Sequence, residues 1–193
     1  MNSDSRESSA AAGDILGFLS QRRSQPLLSS PAPNKAELET IVESALHVPD
    51  HKRLSPWRVI AVEEGQRDKL AGLWNQFAVM ENKDENKLKK KASRAPLILI
   101  CIASIVDHPK VPDSEQVITA GIAAYTMLMA ANGLGYQGYW RTGKLAYDRN
   151  VFSALGLTES ESIVGYLYLG SGEANTRSRP EGKTLQDKLS YFI

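Results

Sequence analysis

The chain has 193 residues and a formal net charge of +1, from 23 Lys and Arg against 22 Asp and Glu. That balance excludes a protein whose main work is gripping nucleic acid. The composition, 42% hydrophobic and 23% charged, suits a globular protein with one substantial core. A single cysteine, Cys101, excludes an internal disulfide and a zinc site made of thiolates alone.

Residues 1–13 are small and polar and read as a flexible tail without the apolar stretch of a secretory leader. Residues 14–193 read as one domain. Asp14–Gln21 sets Ile15, Leu16, Phe18 and Leu19 at helical spacing and runs into Arg22-Arg23-Ser24. Asn34 and Glu37 make a capping box for a helix through Leu38, Ile41, Val42, Ala45 and Leu46, which Pro49 should end. Trp57–Glu63 alternates and is β-branched, a strand. Glu64–Met80 is helical, with Leu70, Leu73, Trp74 and Phe77 on one face. The charged stretch 81–94 suits a solvated helix or loop, and its position before a core strand also suits a lid.

Leu97–Ala103 is continuous and apolar, a strand buried on both faces, with Cys101 a small hydrophobe rather than a nucleophile. Residues 113–133 form the longest helix, capped within Asp113–Gln116 and closed by Asn132-Gly133. It has almost no polar face, so it is expected to pack on the sheet and against a second subunit. Tyr136–Tyr139 is a short strand running into Trp140-Arg141-Thr142-Gly143. A helix over Asp148–Leu155, a capping-box-like turn at Thr158–Glu161 and a core strand over Ile163–Gly170 follow. The last residues, Leu189–Ile193, are apolar enough to be ordered. No apolar run is long and uninterrupted enough to cross a bilayer, which takes about 20 residues. The expectation is a soluble, cytoplasmic protein with no membrane partner.

Chemistry concentrates in the connectors. Pro49 and Pro56 stiffen a loop that carries His51, Lys52 and Arg53, which fits one wall of an anionic cofactor site as well as a plain polar turn. Arg22, Arg23 and Ser24 suit phosphate, and arginines also suit helix C-termini through the macrodipole. His47 and His51 stand four apart with Pro49 between them, so they share no helix face, and no zinc-ligand spacing is present. Gly133-Leu134-Gly135 follows a helix, which denies it the context of a dinucleotide fingerprint. No nucleophile elbow occurs.

Taken together these pieces resemble the FMN-dependent nitroreductase family, in particular its short bacterial NAD(P)H nitroreductase branch. The matching stretches are Arg22-Arg23-Ser24, Pro49-Asp50-His51-Lys52 with Pro56-Trp57, Arg94-Ala95-Pro96, Lys110-Val111-Pro112, Trp140-Arg141-Thr142-Gly143 and Ile163–Gly170, in the family's order over residues 14–193. The resemblance implies an α+β fold, a mixed sheet flanked by helices, with a long buried central helix. It implies a homodimer with FMN at the interface. Arg22, Arg23 and Ser24 would reach the phosphate and ribityl chain, with Arg177 and Arg179 on the same phosphate. His51, with His47, would contribute from the loop before the Pro-Trp strand. Trp140, Arg141, Thr142 and Gly143 would pass the flavin ring. The chain departs from the common pattern where most members carry Ser-x-Asn-x-Gln-Pro-Trp and this one has His51-Lys52-Arg53-Leu54-Ser55-Pro56-Trp57.

The implied activity is a ping-pong oxidoreductase passing electrons from NAD(P)H through FMN to a nitroaromatic, quinone or similar small acceptor. The cofactor would carry the chemistry, so no catalytic side chain and no metal is expected. The three basic connectors are expected to converge on one phosphate. The alternatives are a flavoprotein of the same fold that reduces or dehydrogenates a dedicated metabolite, and a nucleotide-binding module without turnover.

Overall fold

The centre of the molecule is the strand read from its uninterrupted apolar run. The structure, a computed structural model, describes residues 15–80, 85–173 and 185–192. Strand β2, Leu97–Ser104, lies inside a four-stranded antiparallel sheet of order β1-β2-β4-β3, with β1 at Trp57–Val62, β3 at Gln137–Arg141 and β4 at Glu161–Gly170. All of β2 except Ser104 is buried. Its side chains alternate: Ile98, Ile100 and Ile102 enter one core, and Leu97, Leu99 and Cys101 the other. Each such aliphatic side chain contributes about 1.5–3 kcal/mol by burial.

Helices cover both faces. On one side lie α3, Arg67–Met80, α4, Glu85–Ala92, and α6, Arg149–Ala154, through Leu70, Trp74, Leu88, Ala92, Val151 and Phe152. On the other lie α2, Lys35–Ser44, and α5, Asp113–Gly133, through Ile41, Ala123, Ala124 and Met127. A helix α1 over residues 15–21 precedes them. This is the expected α+β arrangement of a sheet between helices, but the described strands pair antiparallel throughout rather than as the expected mixed sheet.

Several local expectations shift. The capping box forms, with Asn34 accepting from the Glu37 N–H at 3.0 Å and Glu37 accepting from the Asn34 N–H at 2.8 Å. Yet α2 stops at Ser44 and tightens into a 3-10 turn, Ala45–His47, which leaves Leu46 exposed rather than on the apolar face. The first strand ends at Val62, one residue early. The charged stretch is a helix packed on α3 by Leu88 and Ala92, so its described residues serve the core rather than a lid, while residues 81–84 lie outside the described residues.

Helix α5 ends one step later than Asn132-Gly133 suggests. Leu134 follows it, and Gly135, at φ 90, takes the left-handed conformation that only glycine adopts cheaply. At its start no side chain caps it. Gln116 instead turns inward and clamps the preceding loop, its Oε1 accepting from the Val106 N–H at 2.9 Å and its Nε2 donating to Val106 O at 2.8 Å and Val111 O at 3.2 Å. The helix is not covered on all sides within one chain. Ile118, Ile122 and Tyr125 form an exposed stripe. Finally, β3 runs two residues further than expected, so Trp140 and Arg141 are strand residues and only Thr142 and Gly143 turn. The terminal Leu189, Tyr191 and Phe192 are exposed. No described helix is long and apolar enough to cross a membrane.

Candidate functional site

The extension of β3 positions one group of predicted residues. Its register against β4 sets Trp140 opposite Leu167 and Arg141 opposite Tyr166. Successive residues of a strand face opposite ways, and here the indole joins the α5 core while Tyr139 packs with the α3 core. The indole lies against the backbone of β4, donating from Nε1 to Val164 O at 3.3 Å. Gly165 makes this possible, because a Cβ there would land inside the Trp140 ring. Gly165 therefore acts as a cradle, a role the sequence marks only as a glycine within an apolar strand.

Arg141 faces the other way. Its guanidinium carbon sits 4.1 Å from the Tyr139 ring centroid and 5.3 Å from that of Tyr168, and Nη2 donates to Pro26 O at 3.3 Å. Its Nε is buried and has no hydrogen-bond partner. Tyr168 is buried beside it, and burial pushes the phenol up to about 12 against the opposing pull of Arg141 and Arg94. Beyond Arg141 the chain turns at Thr142 and at Gly143, whose φ of 97 admits only glycine comfortably.

The segment after α1 runs to the same edge. The Gln25 N–H donates to Gly138 O at 3.1 Å, and Gln25 Nε2 donates to Glu173 O at 3.0 Å. Arg22 Nη1 reaches Ser24 Oγ at 3.4 Å. Arg23 Nη1 donates to Ser20 O at 2.6 Å and to Arg22 O at 2.9 Å, the helix-terminal use of an arginine. The segment that follows Arg22 and Ser24 is thus pinned to β3 through Gln25 and Pro26, and Arg23 is turned back on its own helix.

His47 and His51 are placed elsewhere. Both are exposed, in short 3-10 turns at Ala45–His47 and His51–Arg53. His51 Nδ1 lies 2.8 Å from Glu115 Oε2, and Thr119 Oγ1 donates to Pro49 O at 3.3 Å. The loop is strained: Lys52, Arg53 and Ser55 have φ of 66, 55 and 47. Asp50 straps it, Oδ2 accepting from the Ser55 N–H at 2.7 Å. Glu115 and Thr119, which hold this loop, lie about 200° around α5 from Val117 and Gly121. Those two line a cavity of about 450 Å³ beside Trp140, which Tyr147, Arg149 and Phe152 also wall. The exposed stripe of Ile118, Ile122 and Tyr125 runs between. The expected convergence of three basic connectors therefore does not hold within one chain. The first meets the β3 end, the His51 loop stands on the other flank of α5, and Arg177 and Arg179 lie outside the described residues.

One charged constellation has no counterpart in the sequence reading. Glu161 accepts from Arg58 Nε and Nη2 at 2.6 and 2.9 Å, from Ser104 Oγ at 2.8 Å and from the Thr158 N–H at 3.0 Å. The Arg58 hydrogen bonds hold its carboxyl well below the usual 4.5, at about 2. The capping-box pattern at Thr158–Glu161 signalled the Thr158 bond alone; the Arg58 partner lies 103 residues away. Among the described residues no cluster of metal-binding side chains occurs, and burial pushes the Cys101 thiol up to about 12, so it is no thiolate at neutral pH.

The described residues thus form a four-stranded antiparallel sheet between helices with a basic segment along its β3 edge. Residues 19–171 match the Nitroreductase family, and the chain belongs to that family. Its role is accordingly that of an oxidoreductase. It is 37% identical over 161 residues to "Putative NAD(P)H nitroreductase YdjA" of Escherichia coli K12, covering 82% of this chain and 88% of that one. The fold is similar to that of a nitroreductase-like family protein from Bacillus cereus, with TM-score 0.75 and 21% identity over 92% of this chain and 95% of that chain. It is also similar to an FMN-dependent nitroreductase from Clostridium difficile, with TM-score 0.67 and 21% identity over 91% and 98%.

Proposed function

We propose that the chain is an FMN-containing homodimer that takes electrons from NAD(P)H and passes them to small electrophilic acceptors such as nitroaromatics and quinones. The observation that carries this reading is the docking of the segment Arg22–Pro26 on β3, Gln25 bonding to Gly138 and Pro26 to Arg141, beside the turn at Thr142 and Gly143. Guanidinium forks and a hydroxyl are the groups that grip a phosphate. The buried, unpartnered Nε of Arg141 is a donor in want of an acceptor, which favours a ligand over a finished structural cluster. These residues fit the cofactor that the name of the Clostridium protein carries. FMN, when bound, supplies the hydride chemistry.

The chain's own groups then bind, orient and exclude water. Arg22 and Ser24 hold the phosphate, with Arg177 and Arg179 on the same anion. Thr142 and Gly143 present backbone to the ring, and Trp140 closes one wall. The apolar stripe of Ile118, Ile122 and Tyr125 receives the second copy. That copy covers both flanks of α5, so His51 and His47 of one subunit complete the site of the other. The separation of the His51 loop from the β3 edge supports a site shared between two copies.

The test is the absorption spectrum of the purified protein, with anaerobic titration by NADH and NADPH. A flavin band that either nicotinamide bleaches is expected, with parallel double-reciprocal plots for donor and acceptor. Colourless protein that takes up no added FMN overturns the reading. Arg22→Ala should lower retained flavin at least tenfold, the loss of one charge-assisted contact of about 1.5–3 kcal/mol. Arg23→Ala should lower it less, since Arg23 is engaged with helix carbonyls. Flavin content measured after gel filtration checks the order of the two.

A further inference from the structure

The cavity beside Trp140 has a chemistry that the cofactor reading does not use. Its walls are aromatic at Trp140, Tyr147 and Phe152 and aliphatic at Val117 and Ile163, and Arg149 is the one charged side chain among the residues that line it. About 450 Å³ is well above the roughly 150 Å³ that accepts a bare benzene ring, so a substituted aromatic of one or two rings has room. Flat walls and the one cation this chain contributes favour a planar, negatively charged molecule.

Arg149 is prepared for that role. Its guanidinium carbon lies 5.3 Å from the Phe152 ring centroid, and Nη1 makes only long contacts, 3.4 Å to Glu159 O and 3.5 Å to Glu161 O. A guanidinium has five N–H donors, so most remain for a ligand. Of the acids nearest in sequence, Glu159 meets Arg149 through its backbone carbonyl, and the carboxylates of Asp148 and Glu161 are committed elsewhere. The Asp148 carboxylate caps α6, accepting from the Asn150 and Val151 N–H groups at 2.8 and 3.3 Å. The Glu161 carboxylate is bound by Arg58, Ser104 and Thr158. Among the described residues no carboxylate forms an ion pair with Arg149. An exposed arginine at a cavity wall, against an aromatic ring and with no ion pair among the described residues, is what a carboxylate-bearing ligand needs. The Trp140 wall is held in place, since the indole lies in the Gly165 cradle.

We infer that this cavity is the acceptor subsite and that Arg149 makes it select planar aromatic carboxylates over their neutral counterparts. The inference rests on the oxidoreductase reading above for what becomes of the bound acceptor, but not for binding itself. The probes are 4-nitrobenzoate and its neutral methyl ester, compared by equilibrium dialysis on the purified full chain and by kcat/KM with NAD(P)H. Wild type is expected to favour the acid by tenfold or more in Kd and through KM, and Arg149→Gln to abolish that preference by weakening binding of the acid. Arg149→Lys should keep part of it, a pattern that loss of folding would not give. Equal affinity for acid and ester in wild type, a preference that survives Arg149→Gln, or no saturable binding of either compound would overturn the inference. Colourless protein would overturn the flavin reading alone, because the dialysis isotherms decide the subsite without turnover.

Discussion

The edge of β3 and the loop before β1 carry similar chemistry and hold it by different means. On the edge, Trp140 and Arg141 are aimed by strand register, and the neighbouring Arg22–Gln25 segment is pinned by a backbone bond to Gly138. In the loop, Lys52, Arg53 and Ser55 sit on left-handed backbone kept in place by side chains, Asp50 to the Ser55 N–H and Glu115 to His51. The edge inherits its precision from the buried sheet, whose central strand is closed on both faces. The loop gets its geometry from a few exposed straps, each of modest worth in water. One region is fixed by the core, and the other can be retuned without touching it.

The sharpest way to break the first half of that contrast is Gly165→Ala. The new Cβ would collide with the Trp140 indole, and the collision is with a packed ring rather than a flexible chain end. Overpacking of this kind costs about 1–3 kcal/mol, or roughly 2–12 °C in Tm for a chain of this size. Calorimetry should show the fall, and 4-nitrobenzoate affinity should weaken with it because Trp140 walls the cavity. An unchanged Tm would mean that the indole is free to move, and the edge would lose its claim to rigidity.

Next in size is Glu161→Gln, at the foot of the same sheet. Glu161 joins β4 to Arg58 of β1 and Ser104 of β2, and hydrogen bonds to a charged group contribute about 1.5–3 kcal/mol. A loss of about 2 kcal/mol is expected at pH 7. The carboxyl is depressed from 4.5 to about 2 in the fold. Its contribution is therefore complete above pH 4.5 and lost as pH falls toward 2. Denaturant midpoints of the two proteins should differ most above pH 4.5 and converge between 4.5 and 2. A constant gap down to pH 2 would sink the assignment.

What the sequence shows of the two regions follows from how each is built. The apolar run 97–103, the Asn34–Glu37 box and the long helix are local patterns, and all three appear in the fold. The basic connectors are legible too, as residue types in loops. Their partners are not, because nothing local links Glu115 to His51, 64 residues away, or Arg58 to Glu161. The two-residue extension of β3 comes from pairing with β4, which overrides the Thr-Gly turn signal only as far as Arg141. The stripe on α5 reads as core because its period is apolar all round, and only the packing shows which third of it faces out. Arg149 is one cation on a short helix in the sequence; that no described carboxylate pairs with it is visible only in three dimensions.

The smallest effect tests the strained half of the comparison. Lys52, at φ 66 and ψ 10, is exposed, so its side chain contributes little to packing. The left-handed region costs a residue with a Cβ about 1–2 kcal/mol, and glycine removes that cost while adding about 0.5–1 kcal/mol of unfolded-state entropy. Lys52→Gly should therefore stabilise the protein by about 0.5 kcal/mol, read as a small rise in the urea midpoint. Lys52→Ala is the control: it removes the same charge and keeps the Cβ, so it should leave the midpoint where it was. Asp50→Asn, which weakens the strap at the Ser55 N–H, should lower the wild-type midpoint and lower that of Lys52→Gly by less, since a relaxed loop leans less on its strap. If glycine and alanine behave alike at position 52, the backbone there stores no strain, and the loop would be as firmly determined by its surroundings as the β3 edge.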